Sequence, residues 1–220
     1  MLKTEQLYDL SHTMAKELLK KCEYPWLALP HIGELVREQG KALSSERFYS
    51  PAPDVWIAKT ATVAPSAVIV GPAIIGEDTE VRTGAFIRGS VLVGDGCVVG
   101  NSCELKNCIL FDGVQVPHFN YVGDSILGYK SHMGAGAVTS NVKSDKTPVV
   151  IHSPDGDVPT GLKKVGAMLG DNVEIGCNCV LNPGTVIGTC SNVYPLTSVR
   201  GVIPPNSICK GTGNIVPKKS

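Results

Sequence analysis

Aromatic side chains make up only 5% of this sequence, and neither charge sign is in excess: 20 Lys and Arg stand against 20 Asp and Glu. A neutral chain without a basic run lacks the electrostatic footprint of a nucleic-acid binder. No apolar run approaches the roughly 18 residues that a membrane-spanning helix needs. The opening stretch MLKTEQLYDLSHTMAKELLKKC is charged and amphipathic, without the apolar centre of a secretory signal. A cytoplasmic protein with neither nucleic acid nor membrane as partner is expected. The eight cysteines include no CxxC pair, Cys177-Asn-Cys179 being the closest approach. Metal or redox spacing is therefore missing, and reduced, structural cysteines in a cytosolic setting are expected. What the chain does have is glycine, 24 residues, beside 15 prolines. That balance suits an all-β repeat protein better than a helical bundle.

The 220 residues allow one large domain, or one domain with a small appendage. Leu7, Leu10, Met14 and Leu18 recur at steps of three and four, widened by Ala15 and Leu19, which predicts a helix over 4–22. Ile32, Leu35, Val36 and Leu43 predict a second over 31–43, with Pro25 and Pro30 between the two. Residues 1–50 then read as an α-helical cap over the end of the domain at 51–220, because a repeat array needs its terminal faces covered. The rival reading is a docking segment for another subunit.

From Ile57 a six-residue period begins: Ile57, Val63, Ile69, Ile75, Val81, Ile87, Val93, Val99, Leu105 and Phe111 are all apolar, with Gly, Ser, Asp or Asn between them. Leu169, Ile175, Leu181, Ile187, Val193 and Val199 keep the same step. An α-helix cannot use period six, and strand alternation does not enforce it. A parallel β-helix does: each hexad supplies a short strand and a turn, three hexads close a coil, and the anchors stack into a continuous core. Cys97, Cys103 and Cys179 share one phase of the repeat, where a small, buried, apolar side chain is wanted.

Two stretches leave the period within 51–220. QVPHFNYVGDS (115–125) follows Phe111, and ten residues separate Phe111 from Tyr121, as if four had been inserted. The insertion is expected to bulge the coil and lift His118 off a strand, with Tyr121, Leu127, Met133 and Thr139 resuming the period. Asp124 reads as a turn residue rather than an acid, and His152 as incidental. The second stretch is 140–168, polar and containing Pro and Gly. A long loop in a compact repeat is more often functional than idle.

NSCELKN (101–107), PHFNYVGDSILG (117–128) and HMGAGAVTSNV (132–142) resemble the acetyltransferase domain of bifunctional N-acetylglucosamine-1-phosphate uridylyltransferases. That family runs approximately Asn-x-x-Glu-x-Lys, His-x-x-Tyr-x-Gly-Asp and Gly-Ala-Gly-x-x-x-x-Asn. TGLKKVGAMLGDNVEIG (160–176) is similar to the same domain of the related sugar-1-phosphate nucleotidylyltransferases. The resemblance covers roughly 55–210. It implies a left-handed β-helix, the exception to the right-handed crossover rule, a homotrimer with clefts between copies, and acetyl-CoA as co-substrate with no metal in the acyltransferase site. By the same resemblance His118 matches the catalytic base, and Arg88, Lys106 and Tyr121 match substrate-binding positions. Asn141 falls beside the reacting groups, and Lys146 matches a phosphate-binding lysine loosely. Ala135, Gly136 and Cys177 fall near coenzyme A.

The chemistry implied is acetyl transfer to an amino-sugar phosphate or nucleotide sugar. A neutral amine attacks a thioester, and histidine titrates close to working pH. Arg88 and Lys106 offer fixed positive charge to a sugar phosphate. Three departures stand out. His132 replaces an asparagine expected to contact the sugar. The segment 141–146, NVKSDK, lacks the family's Tyr-Asp-Gly. No glycine-rich nucleotide loop precedes the repeats, so pyrophosphorylase activity is not expected of this chain. These departures support an alternative: a non-catalytic trimeric module that binds a sugar phosphate or partners a separate nucleotidylyltransferase. A zinc hydratase on the same fold would need three ligand histidines. His118 and His132 are present, but a close His pair is not.

Overall fold

The computed structural model describes residues 1–219. The chain winds into a left-handed parallel β-solenoid with three faces. One face stacks Val55–Ala58, Ala73–Ile75, Val91–Val93, the second halves of Glu104–Leu110 and Tyr121–Leu127, then Ala167–Leu169, Thr185–Ile187 and Val202–Ile203. The next face stacks Val68–Ile69, Phe86–Ile87, the first halves of those two long strands, Val138–Thr139, Val180–Leu181 and Ser198–Val199. The third runs from Thr62–Val63 through Gln115–His118 and His132–Met133 to Ser207–Gly211.

The period-six anchors point inward. Ile75, Ile87, Val93, Val99 and Leu105 are fully buried. Asp54, Asp78, Ser102, Asn107, Asp124, Asn172 and Asn178 occupy corners with φ between 48 and 56. Asn and Asp tolerate that left-handed backbone because their short polar side chains bond locally. This is why the polar spacing between anchors is part of the fold signal. The buried cysteines behave as small apolar residues: all eight are free, and burial pushes the Cys97 thiol up to about 12.

The expected insertion before Tyr121 is absent. Val55 pairs with Ala73, and Ala73 with Val91, at eighteen-residue steps, but Val91 pairs with Cys108, and Cys108 with Ser125, at seventeen. The coil loses one residue at each of two corners, Asn107 and Asp124. The inward series is therefore Leu105, Leu110, Val116, Val122, Leu127 and Met133, all fully buried. Phe111 is not an anchor of this series; its ring packs against Tyr8, 5.0 Å between centroids. Tyr121 faces outward, and His118 ends a strand rather than riding on a bulge.

The helical expectation also needs correction. Over 4–22 the chain forms Thr4–Leu7, a 3₁₀ turn at Leu10–His12, and Lys16–Leu19. Asp9 accepts from the Ser11 N–H (3.0 Å), and Thr13 Oγ1 from the Ala15 N–H (3.1 Å). Such local bonds compete with a continuous helix. Ile32–Ala42 is helical as expected. These segments do not cover the solenoid's end. They lie along its flank, over the first face, where Ile74, Leu92, Ile109, Ile126, Met168 and Val186 form a buried outward ladder. The ends are finished by antiparallel pairing instead: Phe48–Ala52 on Val55–Ala58, and Asn214–Pro217 folded back on Ser207–Gly211. Among the described residues no helix is long and apolar enough to cross a membrane.

Candidate active site

The first face is covered by helices; the second and third are not, and most of the motif residues gather on the second, here termed the open face. His118 stands at the edge between the third and the open face. Its column is read from the corner hydrogen bonds: the Gly136 N–H donates to the His118 carbonyl (3.0 Å), Asn178 N–H to Ala135 (2.8 Å), and Leu196 N–H to Cys177 (2.9 Å). His118, Ala135 and Cys177 thus occupy the same position on three successive coils, about 4.8 Å apart. Asn120, only 2% exposed, holds this corner. Its Oδ1 accepts the His118 N–H (3.1 Å), and its Nδ2 donates to the carbonyls of Gly134 (2.8 Å) and Ala137 (3.0 Å). The His118 ring is exposed and makes no hydrogen bond or ion pair with the described residues. Gly136 belongs to the neighbouring corner column, with φ 72; a Cβ there would come 2.1 Å from Asn178 Oδ1.

At the opposite edge of the same face the motif Tyr-x-Gly-Asp acquires a physical account. The Tyr121 ring lies across Gly123, where a Cβ would meet the phenol oxygen at 2.5 Å. Only glycine permits that approach. Burial raises the Tyr121 phenol above its ordinary range, opposed by the Asn141 hydrogen bond. Asp124 follows at the corner, φ 48 and 3% exposed. Lys106 Nζ donates to both its oxygens (3.1 and 3.0 Å), and Asn107 Nδ2 to one (2.9 Å). Asn141 Nδ2 donates to Asp124 and to the Tyr121 hydroxyl (3.2 Å). One coil away, Arg88 pairs with Glu104, which raises the guanidinium pKa, and lies 5.9 Å over the Phe86 ring.

The structure therefore brings Arg88, Lys106, Tyr121 and Asn141 onto one face, with His118, Ala135 and Cys177 along its edge. It does not bring in His132 or Lys146. His132 aligns with Gln115 on the third face and pairs with Glu174 at 2.9 Å. Lys146 sits exposed in a turn of the 140–168 excursion, φ 58, with its N–H donated to the Lys143 carbonyl. That excursion leaves the corner next to Asp124: the Val165 N–H returns to the Asn141 carbonyl, and Gly166 N–H to Asp124 (2.7 Å). Three residues escaped the sequence reading. Asn120 had no signal beyond its place in the motif. Asp124 is a turn residue as expected, yet also the buried hub of the cluster. His152 is not idle: Nδ1 is 2.8 Å from Asp157, and Nε2 is 3.2 Å from Arg200.

Residues 69–187, more than half of the chain, match the GMPPB C-terminal domain. A bifunctional protein GlmU of Methanococcus maripaludis (strain C5) is 37% identical over 107 residues, covering 49% of this chain and 26% of that protein. A bifunctional sugar-1-phosphate nucleotidylyltransferase/acetyltransferase of Sulfurisphaera tokodaii is 30% identical over 145 residues, covering 58% of this chain and 36% of that protein. The chain thus spans only about a quarter to a third of these relatives' length. The acetyltransferase domain of PglB from Neisseria gonorrhoeae, solved with acetyl coenzyme A, shares 18% identity and a TM-score of 0.28, covering 74% of this chain and 57% of that one.

Proposed function

The chain belongs to the GMPPB C-terminal domain family, and on that footing we propose that it is an acetyl-CoA-dependent N-acetyltransferase acting on an amino-sugar phosphate or nucleotide sugar. The observation that carries this reading is one face with a base at one edge and an amide, phenol and cation cluster at the other. Tyr121 and Asn141 supply the hydrogen-bonding groups that orient an acceptor. Lys106 and Arg88 sit beside them on adjacent coils. The small Ala135 and the exposed Cys177 continue the His118 edge as a track for the acyl donor.

The step balances simply. The acceptor nitrogen attacks the thioester carbon, and His118 takes the proton from that nitrogen. The carbon–sulfur bond then breaks, and the proton returns to the leaving sulfur. A positioned base of this kind contributes about 10²–10⁴ in rate. The proposed assembly is a homotrimer, in which a neighbouring copy completes the cleft beside the solvent-exposed His118.

The test is thiol release from acetyl-CoA over a panel of amino-sugar phosphates and nucleotide amino sugars. His118→Ala is expected to lower kcat by about 10²–10⁴. Unchanged turnover in that variant removes the assigned mechanism. A second reading, a non-catalytic module that binds a sugar phosphate or a separate nucleotidylyltransferase, draws on one observation. Both cations beside Tyr121 are already matched to carboxylates, Arg88 to Glu104 and Lys106 to Asp124. Sugar-phosphate binding without release of thiol from any acceptor favours it.

A further inference from the structure

Asp124 gathers more hydrogen bonds than a turn residue needs. A carboxylate can only accept, so every donor that reaches it is held with its nitrogen inward. Asn141 reaches it through Nδ2, and the same nitrogen also reaches the Tyr121 hydroxyl. A carboxamide nitrogen carries two hydrogens, and both are engaged. Asn141 Oδ1 has no partner among the described residues. Lys106 is held by both oxygens of the same carboxylate. An incoming phosphate therefore has to compete with Asp124 for it.

We propose that Asp124 is a positioning residue. It turns the Asn141 carboxamide so that its oxygen is left to accept from the N–H of an incoming amine, and it restrains Lys106 so that anion binding stays weak. The inference rests on the acyl-transfer reading for the nature of the acceptor. Its geometry does not depend on that reading. The local charge agrees: Arg88 and Lys106 are balanced by Glu104 and Asp124. The site thus selects its ligand by the amine as much as by phosphate.

Asp124→Asn tests it. Asparagine is nearly isosteric and tolerates the left-handed corner at φ 48. It also presents an amide donor where Asn141 and Lys106 now donate. The expected result splits two readouts. The kcat for acetyl transfer falls by about tenfold or more, while inorganic phosphate, followed by calorimetry, binds about tenfold tighter because Lys106 is released. A purely structural residue would weaken both together and lower Tm. That pattern, or an unchanged kcat, overturns the proposal. Asn141→Ala guards against misfolding of the first variant: it should lose kcat by a similar factor with phosphate affinity unchanged. The double variant should be no slower than Asn141→Ala alone, and additive losses also overturn the proposal. Phosphate affinity needs no turnover. If wild type transfers no acyl group, the functional reading fails alone, and equal phosphate affinity in wild type and Asp124→Asn defeats the role of Asp124 alone.

Discussion

At the scale of single residues, the site depends on side chains whose own chemistry is not reactive. Asn120 is the clearest. It joins the corner that carries His118 to the turn from Gly134 to Ala137 on the next coil. Asn120→Ala leaves the His118 N–H and the Ala137 carbonyl without their partner, while the Gly134 carbonyl keeps the Ala137 N–H, at about 1–3 kcal/mol for each orphaned group. A lower Tm is therefore expected, with a fall in kcat because His118 loses its backbone restraint. Thermal denaturation and the thiol-release assay check the two effects, and an unchanged Tm refutes the account. Gly123 acts similarly by being small, since the Tyr121 ring occupies the space a Cβ would take.

At the scale of elements, the N-terminal segments behave as a missing layer of the fold. The strand triplets Ala73–Ile75, Val91–Val93 and Ala167–Leu169 are apolar at all three positions. A strand buried on both sides reads as a continuous apolar run rather than an alternation. That signal was present in the sequence, and it says that something covers this face. Trp26, Ile32 and Val36 supply part of the cover, all fully or nearly fully buried. Trp26→Ala is expected to cost about 3–5 kcal/mol and to increase binding of a hydrophobic dye, because the helical layer loosens from the ladder. A Tm within a degree or two of wild type would contradict this packing.

At the scale of the whole molecule, one flank is sealed by helices, both ends are closed by antiparallel strands, and the face that carries the candidate site remains open. Its edge carries two bulky apolar residues in left-handed backbone, Phe119 at φ 52 and Leu196 at φ 62. They are 58% and 79% exposed. Side chains of this type rarely take up such a conformation, and here both project from one corner column. Val68, Phe86 and Val180 extend the exposed apolar surface across the face. The proposed trimer would bury this surface, and the chain mass of 23.2 kDa sets the scale for sedimentation. Wild type is expected at three times that mass. Leu196→Glu, at an exposed position outside the core, is expected to sediment as a smaller species with nearly unchanged Tm. A monomeric wild type would refute the trimer.

The sequence by itself determined the solenoid, because period six with Asn, Asp and Gly between apolar anchors satisfies one architecture and few others. Motif spacing also singled out the two successive coils on which the proposed site residues His118, Tyr121 and Asn141 stand. It could not locate the break in period. One residue lost at each of two corners and four residues inserted at one place give similar strings, and only strand pairing distinguishes them. Nor could it decide that His132 faces away while Asp124 gathers Lys106 and Asn141, because in a coil of seventeen or eighteen residues one step of register moves a side chain to another face. The tertiary structure settled those points through hydrogen bonds between coils, which join residues that no local pattern connects.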